Sequence, residues 1–293
     1  MIVADNASID GARELADGWG GNVRLLGFDE NIGVAARNRA VEAAHGELIL
    51  MLDDDSYPQA GAAERLVQAI CGDPTLGVAG GRVIDVDLDG TQLDDGTAPG
   101  SFDWFFTPRD GPPRASTGVE ACFFAQCACV VRRRAFLEVG GCFEPYFFYG
   151  EELDLTARLV AAGWKVAYFP NAAFEHRRGR PGGRTSPAIK RMLRYRIRNQ
   201  IWYFWLRFPL PMALRRIPAY LAYDLVECAY RREMGEWVSA VSAAWADRAA
   251  IRGERQPLTR PALRRAERDR GRRHVRLLAL MVRSRMLSKA RYS

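Results

Sequence analysis

Residues 48–52 read LILML and run directly into Asp53, Asp54 and Asp55. An unbroken apolar run of strand length, with no polar alternation, predicts a strand buried on both faces, which requires helices above and below the sheet. The flanking sequence supplies them. Strand-like runs at MIVADN, VRLLGF and LGVAGGRVI alternate with helical spacing in SIDGARELADGWGG, NIGVAARNRAVEAAHG and PQAGAAERLVQAICGD. Strands alternating with helices of this length predict a parallel α/β sheet. Residues 85–118, rich in Asp, Gly, Pro and Thr, read as a surface excursion. VEACFFAQCACVVRRRAFLEVGG then predicts a strand and a short helix, EELDLTARLVAAG an amphipathic helix, and WKVAYFP a further strand. From about Pro187 the pattern is helical. The expected division is an α/β domain over 1–185 and a helical, basic extension over 186–293.

The 293 residues carry a net charge of +7, distributed unevenly. Residues 252–293 hold fourteen Lys/Arg and three Asp/Glu, a local charge of +11, so the remainder is mildly acidic at −4. Six cysteines without C-x-x-C spacing read as reduced core residues and point to a cytosolic setting. No run of about 18 apolar residues occurs, so no transmembrane helix is expected, and no signal peptide is expected either.

Ligands of open α/β sheets bind beyond the carboxyl ends of the strands. Two acidic groups are expected there: Asp5-Asn6 after the first strand and Asp53-Asp54-Asp55 after the third. Adjacent carboxylates repel, and a chain keeps three together when a cation or hydrogen-bond donors sit against them. Hard oxygen ligands without a cysteine or histidine cluster suit Mg²⁺ or Mn²⁺ shared with a phosphate-bearing substrate. A helical D-D-x-x-D prenyl-diphosphate site does not fit, because these aspartates follow a strand. Glu151, Glu152 and Asp154 open a helix directly after the aromatic run Tyr146–Tyr149. They read either as first-turn acids favoured by the helix dipole or as a partly desolvated general base. His176, one of three histidines, is open to a structural or a ligating role.

In order, DNASIDG, NIGVAARN, LDDD, GEELDL and EH resemble family 2 glycosyltransferases of GT-A fold, and most of all their rhamnosyltransferase-like branch. The likeness runs from Met1 to about Gly179, and YRIRNQIWYFWLRFPLP is similar to that branch's C-terminal helices. It implies a GT-A-like, mostly parallel Rossmann-type sheet with a helical C-terminal extension. The implied activity is that of a hexosyltransferase (EC 2.4): inverting, metal-dependent transfer of a sugar, rhamnose among the candidates, from a nucleoside-diphosphate donor. The acceptor would be a glycan or a polyprenyl-linked saccharide of cell-wall or surface polysaccharide. Residue by residue, it implies Asp5 on the nucleobase with Asn6 beside it, Arg37 near the phosphates, and Asp53 on the ribose with Asp54 adjoining. Asp55 would hold Mg²⁺ or Mn²⁺, His176 would complete the metal or diphosphate site, and Glu152 would be the base within the acidic group of Glu151 and Asp154. Glu152 stands where the family usually has Asp, and Cys127-Ala128 stands where Gly-Ala is usual, which bears on the acceptor side. The family also begins with a further strand and helix before the DNASIDG segment, so the reading frame is expected to continue upstream with such a unit. A non-catalytic glycan- or partner-binding relative is the alternative, beside a two-metal nucleotidyltransferase and a membrane-surface scaffold.

Between Ile189 and Tyr230, Trp202, Trp205, Phe208, Tyr220 and Tyr223 are interleaved with Arg194, Arg196, Arg198, Arg207, Arg215 and Arg216. The mixture suits either an anionic membrane surface or a helical layer packed on the catalytic domain. A peripheral location at the cytoplasmic face of the plasma membrane follows from the first reading. No nucleic-acid partner is expected, since no recognition motif accompanies the basic tail.

Overall fold

A computed structural model describes residues 1–93, 118–121, 124–177 and 187–266. It opens with β1 (Ile2–Asp5), α1 (Ala12–Gly18) and β2 (Arg24–Gly27), and β1 and β2 pair in parallel as a separate two-stranded sheet. Next come α2 (Ala35–Ala43), β3 (Leu48–Met51), β4 (Ser56–Pro58), α3 (Ala62–Gly72) and the long β5 (Leu76–Val86). The α/β part closes with β6 (Val119–Glu120), β7 (Cys129–Arg132), α4 (Arg133–Glu138), α5 (Glu151–Ala161) and β8 (Lys165–Arg177). Four helices follow: α6 (Pro187–Arg207), α7 (Leu210–Arg231), α8 (Met234–Ala246) and α9 (Arg260–Ala266).

The main sheet runs β3-β7-β5-β8-β4, with β6 also on β8. The α/β class holds, but the sheet is mixed rather than mostly parallel. Within it β5–β8 is the parallel pair, while β7 runs antiparallel to both β3 and β5. The reason is a reversal of chain direction after β5, which the strand–helix alternation of the first ninety residues does not announce. The expected excursion at 85–118 also starts later. Asp85 and Val86 still belong to β5, and 87–93 folds back on it, with Leu93 N–H donating to Asp85 O at 2.8 Å. Residues 94–117 lie outside the described residues.

Helices on both sides cover the sheet. Leu66 and Ile70 of α3 pack with Ala79, Val83 and Val130 in one cluster. The larger cluster joins Val41, Val78, Val131 and Leu155 to Trp202, Phe204, Phe208 and Tyr220, so the helices after residue 186 share a core with the sheet. The aromatic residues singled out for a membrane surface are therefore mostly interior: Trp202, Phe208, Tyr220 and Tyr223 are buried. Three of the interleaved arginines, Arg196, Arg198 and Arg207, are interior as well, whereas Arg194 and Arg215 are exposed. Arg196 is buried against Asp224 at 3.1 Å and Glu227 at 2.7 Å.

A buried ion pair and hydrogen bonds to the loop before α5 fix α6 to the rest. Arg207 Nε lies 2.6 Å from Asp154 Oδ1, and Arg158 Nε lies 2.7 Å from Asp154 Oδ2. Asn199 Nδ2 donates to the carbonyls of Tyr146, at 3.0 Å, and Phe148, at 2.7 Å, while Arg198 Nη2 donates to Tyr146 O at 2.8 Å. Asp154 is fully buried, and two guanidinium groups outweigh a burial that would otherwise oppose its charge, holding its carboxyl below the ordinary value. Arg207→Met leaves that carboxylate with Arg158 alone and is expected to cost about 3 kcal/mol or more in denaturant unfolding. Arg207→Lys should restore only part, because one ammonium does not reproduce the guanidinium fork.

Candidate functional site

The ends of β3 and β8 and the start of α5 carry most of the predicted site residues, and the end of β5 adjoins them. Asp53 and Asp55 follow β3 in a tight turn: Asp53 N–H donates to Ser56 Oγ at 2.8 Å, and Ser56 Oγ donates back to Asp53 O at 3.0 Å. Sheet register completes the arrangement. Ser56 pairs with His176 between β4 and β8, and Asp85 pairs with His176 between β5 and β8. His176 Nε2 then lies 3.2 Å from Asp55 Oδ1, and its Nδ1 lies 3.1 Å from Asp85 Oδ1. Hydrogen bonds to Asp55 first, then Asp85, raise the imidazole pKa to about 9.

Asp53, Asp55 and His176 each present a ligand atom within 4.8 Å of the others. Two carboxylates and an imidazole whose ligand atoms converge are a donor set that can hold a divalent cation. Asp54 is exposed on the outer side of the same turn. Asp85, buried beside His176, was not singled out from sequence. Its signal is a register between strands far apart in the chain, which no local motif carries.

Arg37, from α2, is ion-paired with Asp53. Burial opposes its charge, but Asp53, with Glu151 and Glu152, more than offsets this and keeps it firmly protonated. Glu151 is buried, with Oε2 making no hydrogen bond among the described residues. Glu152 is half-buried. Burial, then the adjacent Glu151 charge, pushes Glu152 well above the ordinary carboxylate range, and burial also raises Glu151. Cys127 completes the wall: burial, then the charges of Asp53 and Glu152, pushes its thiol up to about 12, so it is neutral. The structure thus brings Arg37, Asp53, Asp55, Cys127, Glu151, Glu152 and His176 into one electrostatic neighbourhood. Asp154 is separated from them by its role in the interior ion pair.

The first acidic group has a different setting. Asp5 is buried, and hydrogen bonds from Ser8 and the Arg13 guanidinium hold its carboxyl below the usual range. Asn6 staples two loops, accepting from Ile32 N–H at 2.7 Å and donating to Gly33 O at 3.1 Å. Gly33 (φ 59°) approaches the loop before α5 so closely that a Cβ would stand 2.2 Å from Phe147 O. Both residues therefore connect β1 to the loop that precedes Glu151.

Residues 1–140 match the family model "Glycosyl transferase family 2". The chain is 27% identical over 260 residues to an N-acetylglucosaminyl-diphospho-decaprenol L-rhamnosyltransferase of Mycobacterium tuberculosis, covering 79% of this chain and 85% of that protein. It is 22% identical over 177 residues to the O-antigen chain rhamnosyltransferase WbaN of Salmonella anatum, covering 60% and 56%. In fold it resembles the crystal structure of S. aureus TarS residues 1–349 with UDP-GlcNAc, with a TM-score of 0.52 and 14% identity over 83% of this chain and 70% of that one. Through residues 1–140 the chain is thus similar to family 2 glycosyl transferases, and with its likeness to rhamnosyltransferases it is a glycosyltransferase of GT-A fold.

Proposed function

We propose that the protein catalyses inverting, metal-dependent transfer of a sugar of the rhamnose class from a nucleoside-diphosphate donor. The acceptor is a polyprenyl-linked or glycan chain in cell-wall or surface polysaccharide synthesis, and the protein works at the inner membrane face. The observation that carries this reading is the meeting of the Asp53–Asp55–His176 group with the desolvated Glu151–Glu152 pair across Arg37. The named activities of the M. tuberculosis and S. anatum relatives support the sugar and acceptor classes.

In this reading Glu152 takes the proton of the acceptor hydroxyl as its oxygen attacks the anomeric carbon. The bond from that carbon to the diphosphate oxygen breaks, and the diphosphate leaves with the electron pair. Mg²⁺ or Mn²⁺ held by Asp55, His176 and Asp53 would supply charge stabilisation to the leaving group. Arg37 offers a guanidinium to the same phosphates, exchanging Asp53 for them. Asp5 and Asn6 shape the nucleobase side through the loops they join, and Asp53 faces the ribose with Asp54 adjoining it. Glu151 tunes Glu152 by its charge. Asp154 positions α5 and takes no part in proton transfer.

Glu152→Gln should lower kcat by about 100-fold or more while nucleotide and Mn²⁺ binding persist. Parental turnover in that variant would remove Glu152 as base. The pH dependence has a definite sign. A base must be ionised, so kcat/KM rises with pH through an acid limb lying above the ordinary carboxylate range. Removing the neighbouring charge eases ionisation, so Glu151→Gln should move that limb to lower pH.

Asp85 acts through His176 by accepting a hydrogen bond from Nδ1–H, which leaves the Nε2 lone pair facing the cation position. Asp85→Ala is expected to weaken Mn²⁺ binding about tenfold or more, read directly by titration of the Mn²⁺ electron paramagnetic resonance signal. Asp85→Asn keeps an acceptor oxygen and should recover most of that affinity. Equal Mn²⁺ affinity in Asp85→Ala and the parent would show that the contact does not position the imidazole.

A further inference from the structure

The outward face of α7 is unusual in what it lacks. Its exposed side includes Leu210, Leu214, Leu225, Val226 and Tyr230, with relative exposures of 47%, 61%, 36%, 49% and 38%. Prolines and alanines at 211, 218, 219, 222 and 229 fill the positions between them. At about 100° per residue these positions cover a continuous arc of roughly half the helix circumference, along a helix about 33 Å long. The charges on and beside this face are of one sign. Arg215 and Arg232 are exposed, whereas the acids of α7, Asp224 and Glu227, point inward and are buried against Arg196.

We propose that this face of α7 docks on the surface of an anionic lipid bilayer, lying in the interface rather than crossing it. Leucines and valine enter the headgroup boundary, Tyr230 sits at its polar edge, and Arg215 and Arg232 meet lipid phosphates. No helix among the described residues is long and apolar enough to span a membrane, which suits a surface-lying element. A second copy of the chain is the poorer partner. Pairing two such faces would bring arginines together with no outward carboxylate on α7 to answer them. Most of the aromatic–arginine interleaving of α6 faces inward, since Trp202, Tyr203, Phe204, Arg196, Arg198 and Arg207 are buried. The proposal extends the reading of a lipid-linked acceptor but stands on a different surface from the transfer site.

The test is vesicle flotation of the full chain with phosphatidylcholine alone and with phosphatidylcholine mixed with phosphatidylglycerol, at matched salt. The doubly substituted Leu214→Glu, Val226→Glu protein should bind the mixed vesicles about tenfold more weakly or worse, given the burial energy of two aliphatic side chains. Arg215→Glu with Arg232→Glu leaves the apolar residues in place and should weaken the preference for the anionic vesicles below that of the parent. The basic residues beyond 266 are common to all these proteins, so the comparison isolates the face. Parental binding in both variants would overturn the proposal. So would a concentration-dependent dimer in sedimentation that Leu214→Glu, Val226→Glu dissolves while vesicle binding stays unchanged. Transfer to a short, water-soluble acceptor should stay parental in the variants; its absence from the parent would count against the catalytic reading and not against docking.

Discussion

The candidate site depends on one buried charge. Asp154 sits in the interior of α5, where an isolated carboxylate would cost several kcal/mol, and it is tolerated because Arg158 and Arg207 answer it. Arg158 belongs to the same helix, but Arg207 comes from α6, so α5 reaches its stable burial only with α6 in place. Glu151 and Glu152 are the first two residues of α5, and their position inherits that requirement. The loop before them is held by the same partner. Phe147 and Tyr149 adopt positive φ, at 62° and 66°, a conformation costing about 1–3 kcal/mol each. Asn199 and Arg198 offset that cost by donating to the loop carbonyls, and Gly33 closes it from the other side. The helical C-terminal region is thus part of what places the acidic pair.

The opposite wall of the cleft is set by strand register. Ser56, His176 and Asp85 lie in one row across β4, β8 and β5, so three distant segments meet without a shared local motif. The turn after β3 then aims Asp55 at His176, and Asp53 at Arg37. One wall is therefore built by backbone pairing and the other by side-chain clamps. Neither is a free loop.

Legibility followed the range of the interactions. The strand LILML, the helices around it and the acids after it could be read because strand ends and hydrophobic period are local properties. The strand's expected burial on both faces is not met, since β3 lies at the sheet edge and Leu50 and Leu52 are each 40% exposed. Asp53, Asp55, Glu151, Glu152 and His176 do meet, and Arg37 lies among them. The mixed sheet was not readable, because β7 enters between β3 and β5 only after a long connection. Asp85 was read as the start of a loop, since the paired end of β5 contains aspartate rather than an aliphatic residue. In α6 the arginines misled most. Arg196 and Arg207 have carboxylate partners on other helices, Asp224, Glu227 and Asp154, so a charge that looks like a solvated or lipid-facing stripe is an interior ion pair. In α7 the acids Asp224 and Glu227 turn inward, so an outward face of Leu, Val, Ala and Pro is revealed only by burial.

The charge arrangement at the cleft also limits what can enter it. Asp53, Asp55, Asp85, Glu151 and Glu152 gather around Arg37 and His176, so the carboxylates outnumber the cationic side chains named here. A diphosphate approaching this group meets repulsion from the acids as well as attraction from Arg37. Raising the pKa of Glu151 and Glu152 removes part of that repulsion, but it also withholds the ionised base that transfer needs. A divalent cation between Asp53, Asp55 and His176 resolves the conflict on the reading proposed above, because added positive charge favours both the diphosphate and the ionised glutamate. The same acids that would make the empty cleft hostile to a nucleotide then become the means by which donor binding and base ionisation reinforce each other.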